Sequence, residues 1–168
     1  GVDLGTRVLL HKAPPPPATG TVLDLGCGYG PVTIALAMRS PGATVWGVDV
    51  NERAIGLTAE NAEAAGLTNV RVALADEVPA DARFDAIYSN PPIRIGKGAL
   101  HQLLLTWLAR LTPDGAAYLV VQKNLGSDSL ARWLADAGHP TEKLASQKGY
   151  RVLRVHPAFG AAESGIPD

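Results

Sequence analysis

Short apolar runs alternate along this chain with longer segments in which apolar residues recur every three to four positions. The short runs are rich in Val, Ile and Leu, which is typical of buried strands. The longer segments have one apolar face and predict amphipathic helices. The predicted strands are residues 21–25, 44–48, 70–74, 84–89 and 116–122, and the predicted helices are 29–39, 52–65, 100–110 and 127–137. Regular alternation of strands and helices predicts a mostly parallel sheet.

The two ends of the chain follow different patterns. Residues 1–13 form a short amphipathic segment, and Pro14 to Pro17 form a stiff connector of the polyproline type, so residues 1–20 lead into the body. Near the other end, two strands at 143–147 and 150–156 flank Lys148-Gly149 and predict an antiparallel hairpin. Residues 157–168 are small and polar, and we expect them to be frayed.

These elements together predict an α/β fold. It is a Rossmann-like, doubly wound, mostly parallel sheet of seven strands with an antiparallel C-terminal hairpin and helices on both faces. Residues 1–168 show no internal repeat and are predicted to form a single domain. Ligands of such sheets bind at the carboxyl ends of the strands, which is where functional residues are expected.

Composition and charge exclude several classes of protein. The chain is 46% hydrophobic and 18% charged, which predicts a compact domain, and it shows neither a signal peptide nor an apolar run of membrane-spanning length. Its single cysteine, Cys27, excludes an internal disulfide and indicates a reducing cytosol. The four histidines have no metal-ligand spacing, so no metal site is predicted. Because the net charge is −1, a nucleic-acid substrate would need a local basic surface.

The most informative motif is Asn90-Pro91-Pro92-Ile93, which directly follows a predicted strand. Each proline lacks a backbone N–H and fixes its own φ, so the chain leaves the sheet stiff and extended. The Pro91 carbonyl and the Asn90 side-chain oxygen are then two fixed acceptors beside each other. Two such acceptors suit a planar –NH2 group that donates two hydrogens. The motif therefore predicts a site for an exocyclic amine or an amide nitrogen.

A glycine-rich loop follows the first predicted strand and precedes the first predicted helix. A nicotinamide-binding loop requires Gly-x-Gly-x-x-Gly, but the third glycine comes one residue early and Pro31 stands in its place. Asp24 would repel a pyrophosphate, whereas its carboxylate suits a cationic amine such as that of S-adenosylmethionine. The residues predicted to bind the cofactor from this loop are Asp24, Gly26, Cys27, Gly28 and Gly30.

Three further cofactor residues are predicted at the ends of the next strands. Asp49 is suited to accept hydrogen bonds from both ribose hydroxyls, and Val50 to pack on an adenine face. Asp76 follows the third strand and is suited to accept from the adenine amine. A single aspartate at such a place is more often a helix cap or a turn residue. The glycine loop, both aspartates and the Asn90 motif, each at a predicted strand end, make the stronger case together.

With these motifs the chain resembles the class I S-adenosylmethionine-dependent methyltransferases, and more narrowly the methyltransferase small domain family. That family includes small-subunit ribosomal RNA guanine-N2 methyltransferases. The string from Asn90 to Lys97 and the N-terminal residues 2–10 are similar to its single-domain members, and the resemblance extends to about His156. It implies S-adenosylmethionine as cofactor and methyl transfer to an exocyclic amine of RNA, most specifically guanine N2. Asn90, Pro91, Pro92 and Ile93 would then be catalytic, and Asn90 would bind the cofactor as well. Arg94 and Lys97 would meet substrate phosphates.

Other interpretations stay open at the level of sequence. The same motif serves adenine-N6 methylation of nucleic acids and glutamine methylation of proteins, although relatives with those activities usually carry an aromatic residue where this chain has Ile93. A non-catalytic domain that binds the cofactor and holds RNA is a further alternative, and a nicotinamide dehydrogenase is a remote one. Arg94 and Lys97 are equally well explained as solvated surface residues.

Overall fold

The computed structural model describes residues 3–158, and the strands and helices alternate there as the sequence predicts. The helices are α1 (Leu4–Lys12), α2 (Pro31–Arg39), α3 (Glu52–Ala64), α4 (Lys97–Leu108) and α5 (Ser127–Asp136). The strands are β1 (Thr19–Leu25), β2 (Gly42–Asp49), β3 (Val70–Leu74), β4 (Phe84–Ser89), β5 (Leu111–Gln122), β6 (Thr141–Gln147) and β7 (Tyr150–Val155). None of the helices in this part of the chain is long and apolar enough to cross a membrane.

One seven-stranded sheet has the order β3-β2-β1-β4-β5-β7-β6. The first five strands in that order pair in parallel, while β7 pairs antiparallel with both β5 and β6. This confirms the predicted sheet and its C-terminal hairpin. After β3 the chain crosses the sheet to β4, so the strand order reverses between the neighbours β1 and β4. The crevice outside this switch point is where ligands of such folds bind.

Apolar side chains cover both faces of the sheet and hold the helices on it. On one face, Leu104 of α4 and Leu134 of α5 are buried against the central strands. On the other face, Leu9 of α1 and Leu36 of α2 are buried against the same strands. Helices therefore lie on both faces, as predicted, and the carboxyl ends of the strands stay uncovered between the two helix layers.

Two helices begin at other residues than the sequence predicts. Helix α2 begins at Pro31 and not at Tyr29, because Gly30 adopts a left-handed φ of 104° that ends the loop, and proline suits the first helical position. Helix α4 runs from Lys97 to Leu108 and not from residue 100 to 110, since Gly96 provides the break before it. The remaining boundaries, apart from the start of β5, move by at most two residues.

Strand β5 begins five residues earlier than predicted, at Leu111 instead of Ala116. The intervening Pro113, Asp114 and Gly115 are typical turn residues, which is why the sequence suggests a loop. In the structure a register shift absorbs them: Phe84 pairs with Leu111, and the next pairing is Ala86 with Ala116. Prolines are tolerated in sheets at such irregularities because no ladder hydrogen bond is needed from them.

The N-terminal segment is the helix α1 followed by the proline connector. Asp3 caps α1 by accepting a hydrogen bond from the Thr6 N–H at 2.9 Å. The connector is tied to the body because the Tyr88 hydroxyl donates to the Pro14 carbonyl at 2.8 Å. At the other end, Pro157 and Ala158 lie outside regular structure. Residues 1–2 and most of the predicted frayed tail, residues 159–168, lie outside the described residues.

Candidate functional site

Three parallel strands end side by side at the switch point and carry the predicted site residues to one rim. Leu25 at the end of β1 pairs with Val48 on one side and with Ser89 on the other. The residues that follow these strands therefore face a common cavity of about 270 Å³. Its polar and motif residues are Gly26, Asp49, Val50, Asn90 and Pro92, and its apolar walls are Leu25, Val48, Ala75, Leu103 and Trp107.

The glycine loop folds back over the end of β2. The N–H groups of Gly26 and Cys27 both donate to the Val48 carbonyl, at 2.8 and 3.0 Å. Gly26 and Gly28 have φ values of 79° and 56°, which residues other than glycine rarely adopt. A Cβ atom added at either glycine would meet no other atom within 4 Å. The loop thus leaves open space beside its backbone, as the close approach of a cofactor requires.

The far side of the loop is closed by Thr58 of α3. Its hydroxyl donates to the Gly28 carbonyl at 2.8 Å, and a Cβ atom at Gly30 would lie only 2.9 Å from its side chain. The Cys27 sulfur is 3.5 Å from the same hydroxyl. Burial raises the pKa of the Cys27 thiol to about 12, so it stays protonated and packs against the loop.

Asp24 lies behind the glycine loop and not in the wall of the cavity. Only 3% of the residue is exposed, and it accepts a hydrogen bond of 2.6 Å from the Thr33 hydroxyl. Burial raises the pKa of Asp24 to about 7, and the nearby negative charge of Asp49 adds to this, against the opposing effect of the Thr33 bond. The expected contact of Asp24 with a cationic amine stays a prediction.

Asp49 is held in place by two backbone groups. Its Oδ2 accepts from the Gly28 N–H and its Oδ1 from the Asn51 N–H, each at 3.0 Å. Since a carboxylate offers about four lone-pair sites, both oxygens can accept further hydrogen bonds. Val50 beside it is 82% exposed, which presents an apolar side chain at the mouth of the cavity. Asp76 is exposed on a 3-10 turn after β3, next to the cavity residue Ala75.

Asn90 borders the cavity beside the glycine loop and also a second cavity. The second cavity measures about 440 Å³, and its lining includes Asp3, Asn90, Pro91, Ile93, Arg94, Gln122 and Tyr150. The Pro91 carbonyl already accepts from the Ile93 N–H at 2.9 Å, which the sequence did not predict. A carbonyl oxygen has two lone pairs, so it can still accept one more hydrogen bond.

The remaining predicted residues separate around the Asn90 motif. Arg94 lines the second cavity, whereas Lys97 lines a third cavity of about 210 Å³ together with Ile93 and His101. Both basic side chains are exposed. The structure thus brings Arg94 close to Asn90 and leaves Lys97 on a neighbouring surface. Within residues 3–158 no group of three or more His, Cys, Asp or Glu residues is placed to hold a metal ion.

The second cavity contains residues that sequence reasoning missed. The Asn90 amide nitrogen donates to Asp3 Oδ1 at 3.4 Å, across 87 positions of sequence. The Gln122 amide nitrogen donates to the Tyr150 hydroxyl at 3.0 Å. For Asp3 the available signal was its position before an amphipathic segment, which predicts a helix cap and not a site residue. Gln122 and Tyr150 lie at the ends of predicted strands, and no sequence motif around them indicates a functional role.

The structure is that of a class I S-adenosylmethionine-dependent methyltransferase. The features that define this class are the sheet order, the glycine loop with Asp49 at the next strand end, and the Asn90 motif beside them. The model of the methyltransferase small domain family matches residues 1–154, and the chain belongs to this family. The resemblance inferred from the motifs is thereby confirmed.

Relatives and solved structures of similar proteins agree with this assignment. The chain is 36% identical over 157 residues to the uncharacterized protein YbxB of Bacillus subtilis, covering 92% of this chain and 78% of that protein. It is 35% identical over 133 residues to ribosomal RNA large subunit methyltransferase G of Pseudomonas syringae, covering 75% of this chain and 36% of the other. The Thermus thermophilus 16S rRNA N2 G1207 methyltransferase (RsmC), solved with AdoMet and guanosine, superposes with a TM-score of 0.78 at 28% identity. That comparison covers 93% of this chain and 43% of RsmC. The chain thus spans less than half the length of either ribosomal RNA methyltransferase.

Proposed function

We propose that this protein methylates an exocyclic amine of RNA, namely guanine N2 of small-subunit ribosomal RNA. The observation that carries the proposal is the position of Asn90, which borders both the cavity beside the glycine loop and the second cavity. One cavity would hold the cofactor, the other would hold the base, and the amine would meet the methyl group at Asn90. The likeness to RsmC, a guanine-N2 enzyme solved with AdoMet and guanosine, supports the choice of base.

On the cofactor side, the loop glycines would let the backbone approach S-adenosylmethionine closely. The carboxylate of Asp49 would accept from the ribose hydroxyls, and Val50 would cover one face of the adenine. Asp76 would accept from the adenine amine, and the carboxylate of Asp24 would attract the cationic amine of the cofactor from behind the loop. When bound, S-adenosylmethionine supplies an electrophilic methyl group on a sulfonium that needs no acid to leave.

On the base side, Asn90 and Pro91 would provide the acceptors. An aryl amine is a poor nucleophile because its lone pair is delocalised into the ring. If Asn90 Oδ1 and the Pro91 carbonyl accept its two hydrogens, the nitrogen becomes more pyramidal and its lone pair turns toward the methyl group. Correct positioning of two reactants can contribute roughly 7–11 kcal/mol in favourable cases. As the N–C bond formed, the cofactor would leave as a neutral thioether, and the extra proton on the amine would become strongly acidic and pass to water, so a strong general base would not be required.

The RNA itself would be held by the surface around the motif. A base in folded RNA must be extruded from its stack to reach such a cavity. Ile93 would contact the extruded base, Arg94 at the same cavity would meet a neighbouring phosphate, and Lys97 would contact the strand further along. These local cations matter because the whole chain, at a net charge of −1, exerts no general attraction on RNA. Its single, buried cysteine is in keeping with a location in the reducing cytosol.

A labelling experiment tests the proposal. The protein is incubated with tritiated S-adenosylmethionine and, separately, free ribosomal RNA, small subunits, large subunits, tRNA and protein extract, followed by nucleoside and amino-acid analysis. Label in N2-methylguanosine of small-subunit RNA supports the proposal. The same nucleoside in large-subunit RNA keeps the reaction and changes the substrate, as the similarity to a large-subunit enzyme would suggest. Label in N6-methyladenosine or methylglutamine overturns the acceptor, and no label despite demonstrated cofactor binding favours a binding-only role.

A further inference from the structure

Asp3, the residue that caps α1, contacts the predicted catalytic asparagine from outside the motif. We propose that Asp3 is a positioning residue that fixes the orientation of the Asn90 amide, so that Oδ1 is presented to the substrate amine. This inference rests on the proposed function of Asn90. It assigns a role in methyl transfer to the N-terminal helix, which lies outside both the glycine loop and the Asn90 motif.

The chemistry of the contact determines whether the nitrogen or the oxygen of the Asn90 amide faces Asp3. An aspartate carboxylate has acceptors and no donor, whereas an asparagine amide has one donor end and one acceptor end. Only the Asn90 amide nitrogen can therefore make the 3.4 Å bond to Asp3 Oδ1. With Nδ2 turned toward Asp3, Oδ1 is turned away from it and is available to accept a hydrogen from the substrate amine.

Asp3 is itself rigidly held, as a positioning residue must be. Its Oδ1 also accepts from the Thr6 N–H at 2.9 Å, and its Oδ2 accepts from the Thr6 hydroxyl at 3.1 Å. Helix α1 is in turn anchored because Val8 and Leu9 are buried in the core. The orientation of Asn90 is thus tied, through the exposed but doubly hydrogen-bonded Asp3 side chain, to a helix that is packed against the sheet.

Gly5 gives an independent indication that this approach is close. A Cβ atom at Gly5 would lie 2.9 Å from Asn90 Nδ2 and 2.9 Å from Tyr150 Cε1. Gly5 is buried at the second position of α1, so a larger residue there would have to displace one of these two side chains. The lack of a side chain at Gly5 thus leaves room for the Asn90 amide and the Tyr150 ring.

Two substitutions at one position separate capping from positioning. In Asp3→Ser the hydroxyl still caps α1, because serine and aspartate are comparable caps, but the shorter side chain loses the Asn90 contact. In Asp3→Asn the side-chain oxygen can still accept from both the Thr6 N–H and the Asn90 amide nitrogen. We expect Asp3→Ser to lower kcat roughly tenfold, in line with the cost of small misplacements. The KM for S-adenosylmethionine and the melting temperature should not change, and Asp3→Asn should keep most of the activity.

The side-chain NH2 signals of Asn90 in a nitrogen-proton spectrum give a readout that needs no turnover. They are assigned by their loss in Asn90→Ala. We expect them to move in Asp3→Ser and to stay near their original positions in Asp3→Asn. Unchanged signals in Asp3→Ser overturn the inference, and so do shifted signals with an unchanged kcat.

The outcome is distinguishable from a failure of the proposed function. If the unmodified protein methylates none of the substrates offered, the proposed function is wrong. Asp3 then has no role in methyl transfer either, whatever the Asn90 signals show. If Asn90→Ala abolishes transfer while Asp3→Ser transfers methyl groups at the full rate, the proposed function stands and the inference is wrong.

Gly5→Ala provides a second variant: the added methyl group should displace the Asn90 amide and lower kcat, whereas a full kcat contradicts the close approach.

Discussion

The two sides of the rim differ in how their polar groups are used. On the cofactor side, Asp24, Asp49 and the loop carbonyl of Gly28 are all engaged in hydrogen bonds within the protein. On the side of Asn90, the amide nitrogen donates to Asp3 and the Pro91 carbonyl accepts from the Ile93 N–H, while Asn90 Oδ1 accepts no hydrogen bond within residues 3–158. Under the proposed function, the first arrangement would be a preformed cradle for the cofactor, in which Asp49 keeps lone pairs for the ribose hydroxyls, and the second would leave acceptors for the substrate amine. Substitutions on the two sides should therefore separate affinity from rate.

The largest expected effect is that of Asn90→Ala. Loss of an acceptor used in the transition state should lower the rate of methyl transfer by about a hundredfold or more, by analogy with other pre-organised hydrogen-bonding groups. Affinity for S-adenosylmethionine should hardly change, because the loop and Asp49 are untouched. Single-turnover kinetics and calorimetry measure the two quantities. A variant that keeps most of its activity would show that the proposed mechanism is wrong.

The second effect, that of Asp49→Ala, should be of the opposite kind. Loss of a charged acceptor for the ribose hydroxyls, at about 1.5–3 kcal/mol for such a bond, predicts a ten- to hundredfold weaker affinity for the cofactor. The rate at saturating cofactor should fall much less. Asp81→Ala removes the same charge from an exposed turn and is the control. Equal calorimetric affinities in the two variants would reject the role of Asp49.

Two glycines of similar conformation provide a matched pair on the cofactor side. Gly26 and Gly66 have φ values of 79° and 71°, and a Cβ atom at either would meet nothing within 4 Å. Alanine should cost each about 1–2 kcal/mol of backbone strain and lower both melting temperatures similarly. Only Gly26 borders the cavity, so only Gly26→Ala should weaken cofactor binding, by about tenfold. Equal affinity in both variants would place the cofactor elsewhere.

The last expected effect is on stability and its pH dependence, through Asp24. Its pKa rises from 3.8 to about 7 on folding, mainly through burial, so the folded protein binds more protons than the unfolded one between these values. The free energy of unfolding should therefore decrease as pH rises from about 4 to 7 through this group, and level off above. Asp24→Asn keeps an oxygen for the Thr33 hydroxyl and should remove this dependence. Denaturant unfolding at several pH values measures it, and parallel pH curves for both proteins would contradict the assignment.

The sequence predicted the fold and the meeting of the strand ends because both follow from local patterns. Residues after parallel strands must share a rim, so Gly26, Asp49 and Asn90 could be expected together. The sequence could not reveal that the buried Asp24 accepts a hydrogen bond from Thr33, since that residue lies nine positions away in the next helix. The contact of Asp3 with Asn90 was equally hidden because it spans 87 positions.

Helix α1 is made early in synthesis but packs against strands that are made late. Its buried residues Val8 and Leu9 share a core with Val120 of β5 and Val152 of β7. On a growing chain these side chains lack a large part of their packing surface until β5 and β7 have left the ribosome and paired. The Asp3 contact with Asn90 depends on the docked helix and should therefore become stable late in folding. The N-terminal end of the chain thus completes the Asn90 side of the rim after the glycine loop has been made.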